Sequence, residues 1–153
     1  MENEISLLNM FTRLGVAAGL ALVLGLEREL RGKAAGLRSH MLVALGASAF
    51  LIVGLEILHA TAEGDPSARI DPTRIVEGVI GGIGFLGAGS IIRSGTSVHG
   101  ITTGASIWLA GAIGVASGLG HFSLAAMVTL MALVIMSVLG AVERAFPDHG
   151  DGD

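Results

Sequence analysis

Glu27, Arg28, Glu29 and Arg31 fall within five consecutive positions, and Lys33, Arg38 and His40 follow closely behind them. Glu27 and Arg31, four apart, can pair along one helix face. Together, Glu27, Arg28, Arg38, His40 and the distant Arg93 carry the charges to hold a small molecule or a lipid headgroup. Beside hydrocarbon any unpaired charge among them is disfavoured by several kcal/mol. A second group, Asp71, Arg74 and Glu77, opens another segment. An Asp that accepts from free amides, followed by Pro at the first helical position (here Pro72), marks a helix start. Arg74 and Glu77 then share a face and can pair at the membrane boundary. Thr102 and Thr103 have hydroxyls that either bond to the preceding helical turn or face a polar path.

Other constellations are weaker. Glu56 and His59 have the i, i+3 spacing that presents a carboxylate and an imidazole to one metal, but the second Glu-x-x-His of a dinuclear site is missing. They read as interfacial polar residues. Gly82, Gly84 and Gly87 satisfy the G-x-G-x-x-G dinucleotide fingerprint, yet they lie inside an apolar run with no preceding strand, which removes that reading. The chain has no cysteine, so thiolate catalysis and Cys-based metal sites are excluded. With no Ser, His and acid set and no phosphate loop, no catalytic constellation remains, and a non-enzymatic protein is expected. A net charge of -4 argues against nucleic acid as a partner.

The elements that must hold these side chains are membrane spans. Hydrophobic residues make up 52% of the 153 positions, charged residues 14%, and there are 24 glycines. A soluble domain averages about 25% charged residues. Five apolar runs have the length of a bilayer crossing: Leu8–Leu26, Met41–Ala60, Ile75–Ile92, Ile101–Leu119 and Phe122–Val142. The expected fold is an all-α, five-helix, multi-pass membrane domain over 1–142, followed by a short disordered tail over 143–153. Arg28, Arg31, Lys33, Arg38, Arg93 and Arg144 fall on one side, whereas Arg13, Arg69 and Arg74 fall on the other. The positive-inside rule therefore puts the N-terminus outside and the C-terminus in the cytoplasm. Glu2 and Glu4, with no basic n-region, argue against a cleaved signal peptide. Acids outnumber bases on the outer side alone, where Glu56, Glu63, Asp65, Asp71 and Glu77 also lie.

Glycine collects in the third and fourth runs. Gly78, Gly82, Gly84, Gly87, Gly89, Gly100 and Gly104 are expected to pack helices, because bare backbone lets a neighbour approach closely; Gly81, Gly111, Gly114 and Gly118 extend the set, with Gly114 and Gly118 again four apart. These two helices would form the tight centre and a face for homo-oligomers, a dimer in the first place. Trp108 lies near mid-span, away from an aromatic belt, and is expected to pack between helices.

Two stretches carry a resemblance. Gly25-Leu26-Glu27-Arg28-Glu29 with Gly36-Leu37-Arg38-Ser39-His40 is the first. The second is Gly82-Ile83-Gly84-Phe85-Leu86-Gly87-Ala88-Gly89-Ser90-Ile91-Ile92-Arg93 with Thr102-Thr103-Gly104-Ala105-Ser106-Ile107-Trp108. They resemble the MgtC/SapB family of bacterial inner-membrane proteins. The resemblance implies five spans with the N-terminus outside, a link to growth in low magnesium, and restraint of the F-type ATP synthase by the family's MgtC proteins. Its motif positions here are Glu27, Arg28, Glu29, Gly36, Arg38, His40, Asp71, Arg74, Phe85, Gly87, Gly89, Arg93, Thr102, Thr103 and Trp108. Only Glu143 to Asp153 follow the fifth run, which is similar to the short SapB-like members. Gly104 stands where the family more often has Ala, a change that allows closer helix approach.

Two functions are therefore expected to compete. One is a regulator that engages another membrane complex in magnesium homeostasis. The other is an oligomeric Mg²⁺ or cation transporter fed by outer acids such as Asp71 and Glu77. No cofactor is expected beyond an association with Mg²⁺.

Overall fold

The computed structural model describes residues 5–64, 71 and 73–145, without the side chains of 62, 63 and 143–145. Glu2, Glu4, the Asp65–Ile70 loop, Pro72 and the 146–153 stretch lie outside the described residues, and so do the side chains of Glu63, Glu143 and Arg144. The elements run α1 (Leu7–Leu30), α2 (Leu37–Gly64), α3 (Thr73–Gly89), β1 (Ile92–Ser94), β2 (Ser97–His99), α4 (Ile101–Gly118) and α5 (Phe122–Ala145).

Local chemistry sets these boundaries. Ser6 caps α1 by accepting from the Asn9 amide at 3.3 Å. Asp71 opens α3, its carboxylate accepting from the Thr73 amide at 2.9 Å and the Thr73 hydroxyl at 2.6 Å. At the end of α4 the His121 amide donates to Ala116 O at 2.8 Å and the Gly120 amide to Ser117 O at 2.9 Å. That double bond pattern, with Gly120 at φ +82°, is a Schellman stop. Chain direction then reverses into α5.

α1, α2, α4 and α5 are each long and apolar enough to cross a bilayer. α3 is shorter than its expected run. Its 17 residues rise about 26 Å against a hydrocarbon core of about 30 Å. The helix stops at Gly89, and the remainder of the run enters a β1–β2 hairpin in which Ile92 faces His99 and Arg93 faces Val98. A two-residue turn, Gly95-Thr96, with Gly95 at φ +61°, closes the hairpin.

The centre of the bundle is α4, not α3 and α4 together. Eleven α4 residues are buried, against Ile83 and Gly87 alone on α3. Ile113 of α4 packs with Leu24 of α1 and with Ala125 and Ala132 of α5. On another side of α1, Ala17 and Ala21 meet Ala44 of α2. α2 presses on α4 backbone to backbone. A methyl group at Gly118 would lie 2.8 Å from Leu51 Cβ and 2.9 Å from Ser48 O, and one at Gly114 would run into the Ala44 carbonyl.

The glycines expected to pack helices divide. Gly87 and Gly104 face one another across α3 and α4, where a Cβ on Gly104 would stand 2.8 Å from Gly87 O. Gly100, at φ +87°, sits against the Ser90 carbonyl. Gly78, Gly82, Gly84 and Gly89 have nothing within 4 Å of where a Cβ would be. They point away from α4 because α3 uses only its Ile83–Gly87 edge to reach it. Further along α4, Gly111, Gly114 and Gly118 pack closely as their spacing predicts.

Candidate functional site

The end of the bundle that carries Arg28 gathers the polar side chains. Gly25 makes the crossing there possible, since a Cβ on it would lie 2.8 Å from Leu37 Cα and 3.0 Å from Gly36 O. Gly32, at φ +62°, turns the chain after α1. Glu29 then reaches forward, and its carboxylate accepts the Leu37 amide at 2.9 Å, satisfying one of the free donors that open α2. This places His40 one turn into α2, fully buried against α4.

His40 is held at both ring nitrogens. Nδ1 lies 2.8 Å from Gly36 O and Nε2 lies 3.1 Å from the Ser106 hydroxyl. A carbonyl only accepts, so Nδ1 carries a proton. The Ser106 hydroxyl has one proton and two neighbours, because Thr103 O also lies 2.9 Å away. With a neutral ring, Ser106 donates to Nε2; with a protonated ring, Nε2 donates to Ser106, which donates to Thr103 O. One proton on His40 thus decides where α4's first turn finds its hydrogen bond.

Arg28 is buried beside this pair, 3% exposed, and its Nη2 donates to the Thr103 hydroxyl at 3.3 Å while its Nε has no partner. Arg31 Nε lies 2.5 Å from Glu27 Oε1, the i, i+4 pair that the spacing predicts. This contact is ionic, its angle leaving both buried carboxylate oxygens without a well-directed hydrogen bond. Arg31 Nη1 also donates to Met136 O of α5 at 3.2 Å. Side chains of α1 therefore join it to α2, α4 and α5 at this end. Burying Arg28 and Glu27 is costly unless such partners compensate, which makes the cluster sensitive to loss of any one of them.

The remaining motif residues are distributed differently. Glu29 and Arg38 stand at the exposed rim, lining a polar pocket of about 350 Å³ with Lys33 and Ser39. Arg93 lies on the exposed hairpin, its Nε donating to Gly95 O at 3.1 Å. Thr102 is exposed and does not join Thr103 in the cluster. Trp108, 46% exposed, borders a small apolar cavity with Ile80 and Ile83 rather than lying enclosed between helices. Asp71, Arg74 and Glu77 occupy the opposite end. The Arg74–Glu77 pair that the spacing allows is not formed: both side chains are exposed, and Arg74 lies along the apolar groove beside α2, which Glu77 does not line. Hydrogen bonds from Thr73, its hydroxyl first and its amide second, hold the Asp71 carboxyl below its ordinary pKa.

Several polar residues were not singled out by type and spacing. Ser106 is visible in retrospect, three positions after Thr103 on one helical face. Ser48 and Ser117 are fully buried with hydroxyls lacking a partner, and nothing local in the sequence separates them from ordinary small packing residues. Arg13 donates to Gly118 O at 2.5 Å and to Asn9 Oδ1 at 2.6 Å, tying α1 to the end of α4. Among the described residues, no three His, Asp or Glu side chains cluster as a metal ion would require.

Four helices of bilayer length, a fifth short apolar one and charges confined to the ends define a multi-pass helical membrane protein. The sequence model of the MgtC family matches residues 14–145, and the chain belongs to that family. It is 38% identical over 130 residues to the Escherichia coli K12 protein named "Putative magnesium transporter YhiD", which covers 82% of this chain and 58% of that one. It is 41% identical over 122 residues to an uncharacterized protein of Synechocystis sp., with 80% and 48% covered. Protein MgtC of Brucella abortus strain 2308 is 38% identical over 117 residues, with 76% and 45% covered. The chain spans about half the length of the curated relatives it matches. No solved structure matches it.

Proposed function

We propose that this chain is a non-enzymatic protein of the bacterial cytoplasmic membrane that serves magnesium homeostasis by regulating another membrane complex. All five helices cross, the N-terminus is outside, and the Arg28 end faces the cytoplasm. The single observation that carries the regulatory reading is the closed contact of α2 with α4, where Gly114 meets the Ala44 carbonyl and Gly118 meets the Ser48 carbonyl. Backbone packed on backbone leaves that seam no room for a hydrated Mg²⁺, which gives up its water reluctantly. The exposed hairpin and the polar rim are then the surfaces available to a partner. The F-type ATP synthase is the partner that the family resemblance implies.

The name of the Escherichia coli relative favours a second reading, transport of Mg²⁺ by an oligomer. Proteoliposomes separate the two. The regulatory reading expects no Mg²⁺ flux from the purified chain and co-purification of a membrane complex from native membranes. Flux that Asp71→Asn or Glu77→Gln abolishes would overturn it in favour of transport.

A further inference from the structure

We propose that His40 is a proton-operated latch: with a neutral ring it fastens the start of α2 to α4, and a second proton on the ring releases that end of the bundle. The ring is fully buried where α1, α2 and α4 meet. Its Nδ1 proton goes to Gly36 O at 2.8 Å, and its Nε2, 3.1 Å from Ser106 Oγ, is the bare nitrogen that takes the incoming proton. In the neutral state Ser106 donates to Nε2. That contact is the one side-chain hydrogen bond between α2 and α4 among the described residues.

The charges around the ring decide which state the closed bundle accepts. α1 presents Arg28 and Glu27 to it. α4 presents the Ser106 hydroxyl, with Thr103 behind it, and has no ionisable side chain from Ile101 to Gly118. On α3, Arg74 and Glu77 lie at the opposite end, and on the hairpin Arg93 is engaged by Gly95 O. Glu27 is held by Arg31, whereas Arg28 has the Thr103 hydroxyl at 3.3 Å and an unpartnered Nε. An imidazolium here is therefore a second buried cation beside one that already lacks an acid, and the two repel without water between them. The crossing is tight, a Cβ on Gly25 standing 3.2 Å from His40 Cβ, so the charged ring gains water only when the helices part. Above the ordinary imidazole pKa of about 6.5 both states are neutral and pH has no leverage; below it the open state binds one more proton, so opening grows about ten-fold per pH unit. This latch does not depend on the choice between regulation and transport.

The chain contains no cysteine, so a single introduced thiol reports the release cleanly. Ala35, just before α2, is buried in a cluster with Ala47, Ile83 and Ile107, whereas its neighbour Ala34 is exposed. In liposomes, the rate at which a thiol reagent modifies Ala35→Cys, divided by the rate for Ala34→Cys, removes the thiol's own pH dependence. That ratio should be level between about pH 8 and pH 7 and should rise about ten-fold per unit below about pH 6.5. In the His40→Gln background it should stay level throughout. Imidazole nitrogen NMR of the unaltered chain reads the ring without relying on any variant's folding. It should show a protonated Nδ1 and a bare Nε2 over the whole range in which the thiol at position 35 stays protected. A ratio that ignores pH, a rise that survives His40→Gln, or a charged His40 ring with that thiol still protected would each overturn the proposal.

Discussion

α3 and α4 carry the same signal in sequence and opposite fates in structure. Both are dense in glycine, with pairs four residues apart. On α4, Gly104, Gly111, Gly114 and Gly118 each meet a neighbouring helix, Gly104 and Gly111 against α3 and the other two against α2. On α3, Gly87 alone does so, and Gly78, Gly81, Gly82, Gly84 and Gly89 face open space. Spacing therefore announces that a helix can be approached closely, but it does not say by whom. An interior helix answers with its own chain, and a peripheral one keeps the opportunity for another molecule.

The largest expected effect tests this division directly. Gly114→Leu drives a branched side chain into the Ala44 carbonyl, backbone that cannot step aside, and overpacking of this kind costs about 1–3 kcal/mol or more. Gly82→Leu adds the same side chain where nothing lies within 4 Å. Thermal melting in detergent, followed by circular dichroism, should show Gly114→Leu strongly destabilised or unfolded and Gly82→Leu close to the parent. Comparable losses in the two variants would break the comparison.

This contrast also marks what was legible beforehand. Apolar run lengths are enough to locate the helices, since a span must satisfy its own backbone hydrogen bonds whatever its neighbours are. The Asp71 start of α3 and the Glu27–Arg31 pair are local, and local spacing foretells both. The hairpin at 92–99 is hidden because Ile91, Ile92 and Val98 continue the apolar character of the flanking helices; the Ser94-Gly95-Thr96-Ser97 turn is its one signal. The His40–Ser106 and Arg28–Thr103 contacts join residues 66 and 75 positions apart. Recognising the motifs marks His40, Arg28 and Thr103 as noteworthy, but only the fold shows that Thr103 belongs to the cluster and its neighbour Thr102 does not.

That neighbouring pair supplies a middle-sized test. Thr103→Val leaves the buried Arg28 guanidinium without its hydroxyl acceptor, and stranding a buried charged donor costs about 1–3 kcal/mol. Thr102→Val alters an exposed hydroxyl and should stay within about 0.5 kcal/mol of the parent. Arg28→Met in the Thr103→Val background should recover much of the loss, because an apolar side chain of similar length needs no acceptor. Melting of the three variants side by side decides it. Equal behaviour of Thr102→Val and Thr103→Val would mean that the cluster contributes nothing to stability.

The smallest effect concerns the other end of the molecule, where the polar groups are exposed and local. Asp71 has its carboxyl pKa lowered chiefly by the Thr73 hydroxyl and next by the Thr73 amide. A lowered folded-state pKa means that the cap's contribution is complete above the ordinary carboxylate range and fades as pH falls through the depressed value. Thr73→Val deletes the larger cause and keeps the amide, so the Asp71 titration, followed by carboxyl carbon NMR, should move up toward the ordinary value without reaching it. The opening turn of α3 should then begin to fray at a higher pH than in the parent, while melting of the Arg28 cluster stays unchanged. An unshifted titration would show that the hydroxyl contact is not populated. A shift accompanied by loss of the distant cluster would show that the two ends are coupled, contrary to the separation of local caps from cross-helix bonds drawn above.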